Sequence, residues 1–131
     1  MSTCETFDCP IKIALRAKTD KGSVCLSYAG YTIIIKWINK DILLVASDYG
    51  EWKQHRKIGA MPINEFADIE WFIGKNVMAV KINGELRHID TGYWYINEFT
   101  TNPEYSLSGA VSVGTEDCST VTVESLRVTE I

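Results

Sequence analysis

The stretch NVMAVKINGELRHID, residues 76–90, decides the fold. An Asn83-Gly84 pair stands between two runs of alternating apolar residues. Both central positions of a two-residue type I′ turn need φ > 0, and Asn and Gly reach that region at least cost. The pair therefore predicts a tight antiparallel hairpin. Working outward, TGYWYINEF (91–99), SLSGAVSVG (106–114) and STVTVESLRVTEI (119–131) continue the two-residue rhythm to the last residue. They predict further strands and no helix. In this reading Tyr93 and Tyr95 share one face and pack inward, which leaves Trp94 outward. In the final run Val121 and Val123 have one parity and Leu126 and Val128 the other. One regular strand cannot turn both pairs to the same face, so a bulge is predicted near Glu124-Ser125.

The upstream chain obeys the same period. Pro10 introduces Ile11, Ile13, Leu15 and Ala17 on one parity, with Lys12, Arg16 and Lys18 on the other, the pattern of a half-buried strand. Val24, Leu26 and Tyr28 alternate, and then Ile33, Ile35 and Trp37. The second parity of that strand is partly apolar through Ile34 and Ile38, as in a central strand. Residues 42–47 form a short strand. Residues 48–64 are the least regular and read as a short strand within a long loop. Glu65–Ile73 carries a helical stripe by composition, yet Ile69, Trp71 and Ile73 alternate with Asp68, Glu70 and Phe72, so it reads as a strand. The predicted core holds Ile13, Leu15, Leu26, Ile33, Ile35, Trp37, Leu44, Trp71, Val80, Ile82, Val111, Val121, Val123, Leu126 and Val128. The sum is ten to twelve short strands in one all-β domain: a loosely ordered leader at 1–9 and a two-sheet antiparallel β-sandwich at 10–131.

Composition narrows the function. The 131 residues are 46% hydrophobic and 23% charged, with 13 basic against 17 acidic side chains and a net charge of −4. Nucleic-acid binding needs a concentrated basic face, and the short Lys53–Lys57 stretch is not one. No apolar run approaches the roughly 20 residues of a membrane span. Residues 1–10 have neither a basic start nor an apolar stretch, so the expectation is a cytoplasmic protein whose Cys4, Cys9, Cys25 and Cys118 are reduced thiols. His55 and His88 show no ligand spacing, so neither a metal site nor a cofactor is expected.

Three constellations carry chemistry. Glu65, Asp68 and Glu70 suggest the paired carboxylates of a glycoside hydrolase. Asp68 and Glu70 share a face, but Glu65 has the opposite parity. No GxSxG, P-loop, GxGxxG or HExxH occurs. The chain is thus expected to be no enzyme. Trp52, Tyr93, Trp94 and Tyr95 offer aromatic planes on which sugar C–H faces stack. Lys53, His55, Arg56 and Lys57, with Arg87 and His88, offer charge-assisted hydrogen bonds to an anion or a hydroxyl-rich ligand.

The segments IKWINKDILLVASDYGEW, INEFADIEWFIGKNVMAVKINGELR and STVTVESLRVTEI together resemble the concanavalin A-like superfamily of jelly rolls, which includes laminin-G and galectin-like domains. More narrowly, the chain resembles small sandwich domains of some bacterial AraC-type regulators. The resemblance spans residues 10–131 and implies a jelly roll. The His-x-Asn-x-Arg strand and Trp-Gly-x-Glu stretch of galectins are absent, as is the Asp/Asn cluster of a legume-lectin calcium site. The expected function is a non-catalytic, lectin-like module for a carbohydrate or related small ligand, bound on the concave sheet or at the edge of residues 48–58. The candidate ligand-binding residues are Lys36, Trp52, His55, Arg56, Arg87 and Trp94. The alternatives are an interaction module, with Ile34 and Ile38 in a homodimer face, and a glycoside hydrolase relative using Glu70.

Overall fold

The computed structural model describes residues 1–30, 33–39, 42–47, 52–56, 60–115 and 118–131, with side chains at all of these except 38, 39, 46, 47 and 52–56. The elements are β1 (Phe7–Asp8), β2 (Ile11–Thr19), β3 (Val24–Tyr28), β4 (Ile33–Asn39), β5 (Ile42–Ser47), β6 (Trp52–Arg56), β7 (Ala67–Ile73), β8 (Met78–Ile82), β9 (Glu85–Asp90), α1 (Trp94–Thr101), β10 (Ser108–Gly109), β11 (Val111–Gly114) and β12 (Val121–Glu130). They form two five-stranded antiparallel sheets, ordered β11-β3-β4-β5-β6 and β12-β2-β7-β8-β9, and a two-stranded ribbon of β1 and β10.

Alternation builds the two layers. Ile11, Ile13, Leu15 and Ala17 of β2 are buried, and between them Lys12, Ala14, Arg16 and Lys18 face outward. Ala67, Ile69, Trp71 and Ile73 do the same in β7, and Val24, Leu26 and Tyr28 in β3. The inner faces meet in one cluster in which Trp37 and Trp71 are the largest fully buried side chains. Each large apolar side chain withdrawn from water contributes roughly 1.5–3 kcal/mol.

The decisive turn is as the sequence requires: Asn83 has φ 50 and Gly84 φ 80, between β8 and β9. Asn83 also ties the turn to the neighbouring strand. Its backbone N–H donates to the Asp68 carbonyl at 2.8 Å, and its Oδ1 accepts from the Asp68 N–H at 2.8 Å. The predicted bulge in β12 is present as a register shift between Val123 and Ser125. A second one, between Val80 and Lys81, leaves Arg87 as the extra residue of β9.

Three expectations need correction. The aromatic run after β9 is the helix α1, not a strand. Its buried residues are Tyr95 and Ile96, and Phe99, Trp94 and Tyr105 pack against the same cluster. Leu44 lies half-buried on the outer face, and Leu43 and Val45 fill the core instead. The β4–β5 register shifts between Trp37 and Asn39, so that Leu43 stands opposite Trp37 and Leu44 opposite the outward Lys36. Val121, Val123, Leu126 and Val128 pack partly buried against the core rather than within it, because β12 is an edge strand.

The first residues lie along the sheets. Ser2 bridges to Ser112, and the Thr3 N–H donates to the Val111 carbonyl at 2.9 Å. The Tyr28 hydroxyl donates to the carbonyls of Phe7 at 2.7 Å and Leu107 at 3.1 Å, which ties the β1–β10 ribbon to β3.

Candidate functional site

The outer face of the β11-β3-β4-β5-β6 sheet follows from its register. One cross-strand row runs Gly114, Cys25, Lys36, Leu44, Gln54, and the next runs Ser112, Ser27, Ile34, Ala46, Trp52. The row between them belongs to the core, with Leu26, Ile35 and Val45, as does the row beyond Ser27, with Tyr28 and Ile33. The face is mixed in character. Ile34 and Leu44 contribute apolar surface, Lys36 a cation and Ser112 a hydroxyl, while Ser27 is buried. Ser2 and Ser112 share a hydrogen bond at 2.6 Å between their Oγ atoms. A hollow of about 230 Å³ lies between this N-terminal segment and Cys25, Ser27 and Gly114.

The six candidate residues fall on three parts of the fold. Lys36 lies on β4, and Trp52, His55 and Arg56 lie on the edge strand β6 of the same sheet. The side chains of those three β6 residues are outside the described residues. In register, His55 stands opposite Leu43 and Arg56 opposite Ile42. Arg87 belongs to the other sheet, at the β9 bulge, with its Nη2 3.4 Å from the Glu85 carboxylate. Trp94 belongs to α1, where its ring meets Tyr95 and Tyr105 edge-on at centroid distances of 6.2 and 6.5 Å. By register Trp52 and Arg56 share the parity of Lys36, His55 stands in the row of the core residue Leu43, and Arg87 and Trp94 are carried on other elements.

The carboxylates considered for hydrolysis are held in ion pairs. Glu70 meets Lys12 at 2.9 Å, and Asp68 meets Arg16 at 3.1 Å. Glu65 precedes β7 and is exposed. No group of three or more His, Cys, Asp or Glu that could hold a metal ion occurs among the described residues. Cys9 is a free, partly buried thiol. Its thiol donates to the Ile73 carbonyl at 3.4 Å, and burial, opposed by Lys75, pushes its pKa up to about 11.

No protein-family model and no curated protein matches the chain. Solved structures do. A double variant of human galectin-16 superposes with a TM-score of 0.72 at 12% identity, over 99% of this chain and 94% of that one. The carbohydrate-binding module CBM66 from Bacillus subtilis gives 0.65 at 6% identity, over 95% and 77%. A tetrameric galectin from the ball sponge Cinachyrella gives 0.59 at 16% identity, over 94% and 96%. The fold is the concanavalin A-like jelly roll.

Several residues on this face of the jelly roll escaped the sequence reading: Cys25, Ser27, Ser112 and Leu44. For the first three the signal was present as parity, since each alternates with a core residue of its own strand. Leu44 carried no such signal, because Ile42–Val45 is apolar at every position.

Proposed function

We propose that this chain is a non-catalytic, lectin-like module that binds a carbohydrate on the outer face of the β11-β3-β4-β5-β6 sheet. The observation that carries the reading is the register that sets Lys36 and Trp52 in adjacent cross-strand rows, two strands apart. Trp52 supplies an aromatic plane for the apolar face of a pyranose ring. Lys36, with the Arg56 of β6, supplies hydrogen bonds to hydroxyls. Ile34 and Leu44 lie in the same two rows between them and keep that part of the face dry. The jelly roll shared with a carbohydrate-binding module and with galectins supports the reading. So does the engagement of Asp68 and Glu70, the carboxylates considered for hydrolysis, in ion pairs.

Glycan-array screening followed by calorimetry tests it. Trp52→Ala or Lys36→Ala should weaken the selected glycan about tenfold, the effect of losing one stacking or charge-assisted contact. Binding that is undiminished in both variants overturns the site.

A further inference from the structure

The other sheet carries a second feature, independent of the face above. The chain is acidic overall, at −4, but the outer face of β12-β2-β7-β8-β9 is not. Alternation turns Lys12, Arg16, Lys18, Lys81 and Arg127 outward there. Only Asp68, Glu70 and Glu124 oppose them on the same strands. Among these cations Arg127 is exposed and opposite Ala14 in register. Lys12, by contrast, bonds Glu70, and Arg16 bonds both Asp68 and Glu124.

Small residues open space among these long side chains. Ala14, Ser125 and Gly84 line a groove of about 510 Å³ whose walls include Arg16, Arg127 and Glu70. The β12 bulge belongs to this construction. It exposes Glu124 and Ser125 in succession, and Glu124 then bonds the Arg16 Nε. Arg16 is held from a further side, with its guanidinium carbon 5.6 Å from the centroid of the Phe66 ring. A guanidinium fixed at two of its donors keeps others for a ligand in a set orientation. A second hollow of about 310 Å³ adjoins across Glu70, with Phe72 and Ala79 as its apolar lining and Lys12 and Lys81 beside them.

We propose that these two hollows form a site for an anionic glycan lying across the sheet. The acid group of one sugar unit pairs with Arg127, and that of the next with Lys81. One ring stacks on Phe72, and Asp68 and Glu70 accept hydrogen bonds from hydroxyls. The interspersed carboxylates select against a nucleic acid. They repel a continuous phosphate backbone, whereas a sugar offers them donors.

The test is calorimetry on the full chain at about 50 mM salt. The probes are tetragalacturonate (carboxylated), a heparin tetrasaccharide (sulfated), a neutral galactan tetrasaccharide and a short single-stranded DNA. One acidic glycan should bind at least about tenfold more tightly than the neutral one, and the tighter of the two identifies the anion. Arg127→Gln and Lys81→Gln lie at exposed positions and should each weaken it about tenfold. Lys36→Ala, on the opposite sheet, should leave it unchanged, so this site and the one proposed above fail or stand separately. The proposal is overturned if neither acidic glycan binds at millimolar concentration. It is equally overturned if both variants bind like the parent, or if the DNA binds as tightly as the preferred glycan.

Discussion

The Asn83 side chain does two separable jobs, and substitution can weigh them. Its backbone sits at φ 50, a region that costs an ordinary L-residue about 1–2 kcal/mol and Asn less. Its Oδ1 accepts the Asp68 N–H at 2.8 Å, a bond worth about 0.5–1.5 kcal/mol net. Asn83→Gly loses the bond but keeps the conformation, for a cost of about 1 kcal/mol. Asn83→Ala loses both, for about 2 kcal/mol. In a domain of this size each kcal/mol shifts Tm by about 3–5 °C, so the alanine variant should melt about 6–10 °C below the parent. The glycine variant should fall by half that or less. Urea titration followed by fluorescence of the buried Trp37 and Trp71 gives the free energies, with m unchanged. Equal destabilisation by Ala and Gly would refute the strain component. Two neutral variants would refute the turn's place in holding β7 to the hairpin.

Other outcomes follow from the same structure. Tyr28→Phe removes the hydroxyl that reaches Phe7 and Leu107; it should cost about 1–3 kcal/mol and speed amide exchange at β1 and β10, and protection there equal to the parent's would contradict it. Gly109→Ala drives a Cβ into the Ala29 backbone, a clash that should cost about 3 kcal/mol or more; a variant as stable as the parent in urea would show that β10 does not approach Ala29 so closely. Burial raises the Cys9 pKa from 9.0 to about 11, so the unfolded chain ionises first and the stability contributed by the neutral thiol is lost as pH rises through that window; Cys9→Ala should flatten the alkaline fall seen in urea melts, and identical pH slopes would count against the buried thiol.

What the sequence made legible is what side-chain period controls. The hairpin was written in two residues, and the β12 bulge in a change of parity between Val123 and Leu126. The strand character of β7 was settled by Trp71 alternating with charge. The helix α1 was hidden because Tyr93, Trp94 and Tyr95 alternate as well as they wind. It begins without a side-chain cap at Tyr93 and without an acidic first turn, so the usual start signals are missing. Only Asn102-Pro103 marked its end. The β5 parity was illegible for a different reason: an unbroken apolar run has no phase, and the irregularity after Trp37 sets it from outside. The pairing of residues 1–3 with β11 combines backbone hydrogen bonds, which every sequence possesses, with the hydroxyls of Ser2 and Thr3, whose partners the sequence does not name. For the candidate site, residue chemistry was readable but assembly was not. Lys36 and the β6 group share a sheet because of strand order, whereas Arg87 and Trp94 were grouped with them by residue type alone.

Amide chemical-shift mapping shows whether a glycan is held on the outer face of β3, β4, β5 and β6. On titrating the best glycan from the array into isotope-labelled protein, shifts should concentrate at Cys25, Lys36, Leu44 and residues 52–56. Shifts confined to α1 and the β9 bulge, with none on β4 through β6, would contradict it.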